Sequence, residues 1–215
     1  MYKWYLPTIS EIMALEVDQP EIDSGSIAQR RVRAEREWSG AIAALNSLLQ
    51  RLIEGQTQSC GASIPAQGLI LSGPAPILDQ TALVAQFSTW TLTANPLKTT
   101  AWIPTRLLPA TEVSRSLAGM ATSTLSLLPD DPLAAEQFCL VLAADLALVM
   151  TLGDYADGQP AFLFSFNPDV VWQCWRSLRS RLLLTSPQVV SKLDGLAKQY
   201  TPPHPTTKRL LNLVA

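Results

Sequence analysis

The stretch "AFLFSFNPDVVWQCW", Ala161 to Trp175, constrains this chain more than any other. Phe162, Phe164 and Phe166 alternate, so a strand places all three rings on one face. Asn167, Pro168 and Asp169 then spell a helix start. Asn caps, Pro takes the first helical position where no N–H is needed, and Asp suits the positive helix end. Val171, Trp175, Leu178 and Leu182 follow on one apolar stripe, with Arg176, Arg179 and Arg181 towards the other faces. An Asp-Gly turn signal, Asp157-Gly158, precedes the strand. Turn, strand, cap and helix within so few residues demand a fold of mixed type.

The same device recurs downstream. Ser186 caps, Pro187 begins, and Val189, Leu193, Leu196 and Tyr200 line the next stripe. Upstream, Trp38, Ile42, Leu45, Leu49 and Leu52 predict a long helix from about Ser26 to Glu54, capped by Ser26 and stopped near Gly55. Leu69 to Leu71, ended by Ser-Gly-Pro, predict a short buried strand and a turn. Asp79 to Phe87 predict a short helix, and Thr89 to Ala94 a half-exposed strand.

Two regions resist this reading. Asn95 to Pro132 holds prolines at 96, 104, 109, 129 and 132, which forbid long helices and central strands. It is expected to be a long excursion with one short strand near "AWIP", and such loops are often functional. "PLAAEQFCLVLAADLALVMTLG" fits either one long helix or a hairpin joined near Ala143 to Asp145. A continuous apolar run carries no period to decide between them.

Composition narrows the function classes. Of 215 residues, 47% are hydrophobic and 16% charged, enough for a sizeable core and against a disordered chain. A formal net charge of −2 gives no basic footprint for nucleic acid. "QRRVRAERE", Gln29 to Glu37, mixes both signs and reads as a solvated helix face. Cys60, Cys139 and Cys174 share no metal spacing, so a reducing, cytoplasmic setting is expected. The longest apolar stretch, Phe138 to Met150, is interrupted by Asp145 and is too short to span a bilayer. The start of the chain lacks an uninterrupted signal-peptide core.

A search for chemistry returns little. No nucleotide-binding glycine loop and no G-x-S-x-G is present, and the one histidine, His204, lies among prolines. Asp130-Asp131 reads as a helix start before Pro132, and Asp154 and Asp157 as turn formers. Glu136 and Asp145 flank apolar runs and are the acids expected to be partly buried. No residue is assigned to catalysis, a metal or a cofactor. Among the tryptophans, Trp38 and Trp175 fall on buried stripes. Trp90 and Trp102 flank the excursion: core positions on the simpler account, walls of a ligand pocket on the functional one. Trp172, close to Arg176, is read as an exposed contact for a partner.

"DPLAAEQFCLVLAADLALVMTLGDYADGQPAFLFSFNPDVVWQCWRSLRSRL", with "LILSGPAP" and "TWTLTANP" upstream, resembles the DICT sensory domain. "MYKWYLPTISEIMAL" and "EREWSGAIAAL" resemble the N-terminal sensory region of cyanobacterial two-component sensor histidine kinases. The resemblance implies strands, not a helix, for the ambiguous run. It implies an α+β fold, a mainly antiparallel sheet flanked by helices, GAF/PAS-like in architecture. The expected organisation is an N-terminal extension over 1–25, one sensory domain over 26–200, and a linker or the start of a signalling helix over 201–215. The implied function is a non-catalytic input module biasing a downstream output domain that carries any kinase activity. The alternative is a protein-interaction or dimerisation module without a small ligand. An output domain or partner protein, a small ligand of unknown identity, and a homodimer through Ala28 to Glu54 or the last helix complete the expectation.

Overall fold

The computed structural model describes residues 6–16, 26–57, 67–78, 80–94, 123–144, 146–154 and 158–200. Its strands are β1 (Gly68–Gly73), β2 (Ser88–Thr93), β3 (Ser123–Ser126), β4 (Gln137–Ala143), β5 (Leu146–Asp154) and β6 (Pro160–Ser165). Its α-helices are α1 (Ile9–Ala14), α2 (Ile27–Thr57), α3 (Thr81–Gln86), α4 (Pro168–Thr185) and α5 (Pro187–Tyr200). The strands form one open sheet in the order β3-β2-β1-β4-β5-β6. β1 pairs parallel with β2, and β2 parallel with β3; β1–β4, β4–β5 and β5–β6 are antiparallel. This is the α+β architecture expected, a sheet with helices on both faces, compatible with PAS- and GAF-like sensory folds.

The register explains why the central run was unreadable by period. Phe138, Leu140 and Leu142 of β4 face a core shared with α1, α4 and α5. Cys139, Val141 and Ala143 face a second core under α2 and α3. A strand covered on both sides is apolar at every position, as a buried helix also is. The run is a hairpin, β4 and β5 paired from Gln137↔Leu152 to Ala143↔Leu146.

Helix boundaries follow local chemistry. Asn167 Oδ1 accepts from the Asp169 N–H at 3.0 Å, with Pro168 opening α4. Ser26 and Gln29 close a reciprocal cap ahead of α2, the Gln29 N–H on Ser26 Oγ and the Ser26 N–H on Gln29 Oε1. α2 runs past Gly55 to Thr57. The expected strand near "AWIP" lies outside the described residues, whereas β3 falls within the stretch read as excursion.

Two expectations are corrected. Arg181 does not face outward: it is 1% exposed, among the largest buried side chains. The buried arc of α4 is wider than the predicted stripe and also takes in Val170, Cys174 and Ser177. Arg181 lies four residues from Ser177 and seven from Cys174, so it points into that arc. The segment 1–25, read as an extension, also contains a core element. Ile9, Ile12 and Met13 of α1 are buried in the same core as Trp175.

Candidate functional site

Three places hold polar or aromatic groups in unusual order. The first lies beneath α1. Thr8 and Glu11 form a reciprocal cap, Glu11 Oε2 accepting from the Thr8 N–H at 2.9 Å. Glu136, 6% exposed, accepts from the N–H groups of Ile9 at 3.1 Å and Ser10 at 3.3 Å. Burial pushes its carboxyl pKa up, against the pull of these bonds and of the Thr8 and Ser10 hydroxyls. Ser10 Oγ also meets Thr151 Oγ1 at 3.3 Å. Gly153 makes room for this contact, since a Cβ there would strike Ser10 Oγ and crowd Glu136.

Arg181 completes the same cluster from α4. Its Nε faces both oxygens of Asp131, and Nη1 donates to the Pro7 carbonyl at 3.1 Å and to Ser177 Oγ. Nη2 donates to the Leu6 carbonyl at 3.1 Å. Asp131 in turn accepts from the Leu133 N–H at 3.0 Å, capping a short 3₁₀ helix at Pro132–Ala135. Asp130, at φ 60°, turns the chain into this position, a conformation that Asp tolerates. The reading of Asp130-Asp131 as a helix start holds, and the ion pair was missed. An arginine inside a buried arc, with an unclaimed aspartate upstream, was the available signal.

The second place is the face of β1, β2 and β3 opposite α4 and α5. Ser72, Thr91 and Thr93 are buried there, with Ser72 Oγ 3.5 Å from Thr91 Oγ1. The cleft above, between Ile70, Ser72, Leu78, Val84 and Thr89, encloses about 10 Å³, room for one water. Trp90 lies on the other face. It is half-buried, its indole N–H donates to Ser88 Oγ at 2.9 Å, and Lys192 Nζ of α5 stands 5.3 Å from the ring centroid. Trp102, its expected companion in a pocket, lies outside the described residues.

The third place is aromatic. Trp38 of α2 meets Phe162 edge-on at 6.1 Å between centroids, Phe162 stacks on Phe164 at 5.9 Å, and Phe164 meets Phe166 at 5.9 Å. Trp172 is half-buried on the α4 flank, packed against the core, with the Arg176 guanidinium 5.9 Å from its ring centroid. The structure therefore brings Trp90 to α5 and Trp172 to Arg176, and does not bring these two indoles into one site.

None of these places holds an activated nucleophile. Burial pushes the Cys174 thiol to about 12 and Cys139 higher still, so both stay protonated. Among the described residues no group of His, Cys, Asp and Glu is arranged to hold a metal, and no helix is long and apolar enough to cross a membrane. Asp145 and His204 lie outside the described residues.

A stretch of 173 residues, 80% of this chain, is 33% identical to part of the sensor histidine kinase Hik34 of Synechocystis sp.. The chain spans about a third of that relative's length, 35%. No solved structure matches it. A family model matches residues 13–207, nearly all of the sheet and its helices, and the chain thus belongs to the family described as Domain of unknown function (DUF8628).

Proposed function

We propose that this chain is a non-catalytic input module of a two-component signalling protein, and that it biases an output domain by contact. The observation that carries this reading is the 33% identity over 173 residues to part of a sensor histidine kinase. The likeness of "FLFSFNPDVVWQCW" to DICT sensory domains belongs to the same reading. Kinase activity then resides in a downstream domain, and the module works in the cytoplasm.

Transmission by contact, without a small ligand, is favoured by the packing. Among the described residues both faces of the central strands are packed, and the small cleft lined by Ser72 and Thr89 holds one water at most. Trp172, flanked by Arg176, is the side chain offered to the partner. Trp90, with Trp102, is the wall of any ligand site that forms.

The test is a chimaera. The matching region of the Synechocystis kinase is replaced by this chain, and autophosphorylation is measured with the chain wild-type, with Trp172→Ala, and with the region deleted. The chimaera should phosphorylate itself at a rate that differs from the deletion and changes with Trp172→Ala. A rate equal in all three would sink the proposal, as would ATP turnover by the isolated chain that is lost on changing one of its own residues.

A further inference from the structure

β6 ends the sheet among the described residues, so one side of its backbone has no strand beside it. Natural edges are usually blunted by charge or proline. Here Pro160 blocks only the first position. Beyond it stand Phe164, 58% exposed, and Phe166, 55% exposed, although they continue a ladder whose first ring, Phe162, is packed under Trp38. α2 covers the beginning of β6 and then leaves it. Arg30 reaches Gln159, Trp38 covers Phe162, and Leu45 and Leu49 already lie in the core with Leu78, Leu83 and Phe87. The last two rings are left bare because the helix crosses the sheet diagonally.

We propose that this edge is the docking surface for a second copy of the chain, the two β6 strands pairing antiparallel about a two-fold axis near Leu163. The strand is self-complementary about that point. Phe162 of each copy lies opposite Phe164 of the other, and Pro160, which has no N–H to offer, lies opposite Phe166. Cross-strand aromatic pairs are among the favourable ones. A helix is about 10 Å wide and strands lie about 4.8 Å apart, so α2, lying over its own Phe162, also shelters the neighbouring Phe164. Each copy then covers the rings that the other's helix leaves exposed.

Charge selects the same arrangement. The Phe162 end of the seam carries Arg30 and Arg31, the latter 3.5 Å from Asp154. The Phe166 end carries Asp169 and Glu16, whose carboxylate accepts from Ser165 Oγ and from Asn167 Nδ2 at 2.8 Å. The basic groups lie on the α2 face and the acidic groups on the α1 and α4 face, so antiparallel pairing does not join them but keeps the like charges of the two copies at opposite ends of the seam, whereas parallel pairing sets like against like. The surface does not depend on the signalling reading.

Sedimentation equilibrium of the full chain tests it, on wild type, on Phe164→Lys/Phe166→Lys, and on Leu184→Lys, an exposed change on α4. Wild type and Leu184→Lys should sediment at twice the chain mass. The double variant should self-associate more weakly by on the order of 10³-fold, two aromatic anchors being lost, with an unchanged circular dichroism spectrum. If that variant does not fold, hydrogen exchange on wild type decides. Of the amides from Ala161 to Ser165, the alternate ones turned away from β5 should lose protection on dilution, while those bonded to β5 and those of β4 keep theirs. A monomeric wild type, a dimer that survives both lysines (a contact on the outer face of α2 would do this), or protection of those outward amides independent of concentration overturns the proposal.

Discussion

Arg181 and Asp131, 50 residues apart in sequence, meet as a fully buried pair, 1% and 0% exposed, with Nε 2.9 Å from one carboxylate oxygen and 3.1 Å from the other. Every other described contact of the guanidinium is also intramolecular: Leu6, Pro7 and Ser177. This arginine is a rivet between α4, the turn before β4 and the segment leading into α1. Removing one partner leaves an uncompensated charge inside, so Arg181→Ala and Asp131→Ala should each cost about 3–5 kcal/mol. Replacing both by apolar residues should cost much less than the sum. Urea denaturation of the two single variants and of Arg181→Met/Asp131→Leu checks the coupling.

Glu136 gives a pH signature. Its folded-state pKa lies above the ordinary value of 4.5 because burial disfavours the charge. The folded state thus holds the proton more tightly than the unfolded one. The resulting stabilisation is complete below the unfolded value and is lost as pH rises through the folded one. Glu136→Gln keeps an acceptor without the charge. Wild type should therefore gain on Glu136→Gln when pH falls from about 7 to about 5, measured as the difference in unfolding free energy. A difference that stays flat over that range would show that the carboxyl titrates alike in both states.

Gly153 sets how closely α1 approaches β5. Gly153→Ala drives a methyl group into Ser10 Oγ and against Glu136, and should cost about 1–3 kcal/mol. Adding Ser10→Gly should restore part of that loss, because the struck atom is then gone. Thermal melts of the two single variants and the double variant give the answer. No restoration would place the strain somewhere other than this contact.

The α4 region offers a graded series. Asn167→Ala removes a cap and should cost about 1 kcal/mol. Trp175→Ala empties a fully buried site and should cost about 3–5 kcal/mol. Trp172, half-buried, should fall clearly below Trp175. If the two tryptophan variants melt together, Trp172 is a core residue and loses its place as a partner contact.

What was legible in the sequence is what local chemistry writes down. The cap at Asn167, the proline starts of α4 and α5, the alternation of Phe162, Phe164 and Phe166, and the stripe of α2 all read directly into structure. β3 did not, because Ser-Thr-Leu-Ser sends only Leu125 into the core and is a strand through its pairing with β2. α1 was overlooked although Thr8 and Glu11 spell a capping box. The site was less legible than the fold. Trp90 and Trp172 were singled out as aromatic, yet the most heavily bonded side chain among the described residues is Arg181, whose partners come from two distant stretches of chain and from its own helix. No local period can announce such a meeting.

The bonds from Arg181 to the carbonyls of Leu6 and Pro7 give the molecule a mechanical path. Tension applied ahead of Leu6 passes through these bonds straight to α4, and through the Arg179–Asp194 pair to α5, without first crossing the sheet. The front of the chain and its last two helices are thereby yoked. A tug or twist on either is felt by the other on one face of the sheet, through side chains and not through strands.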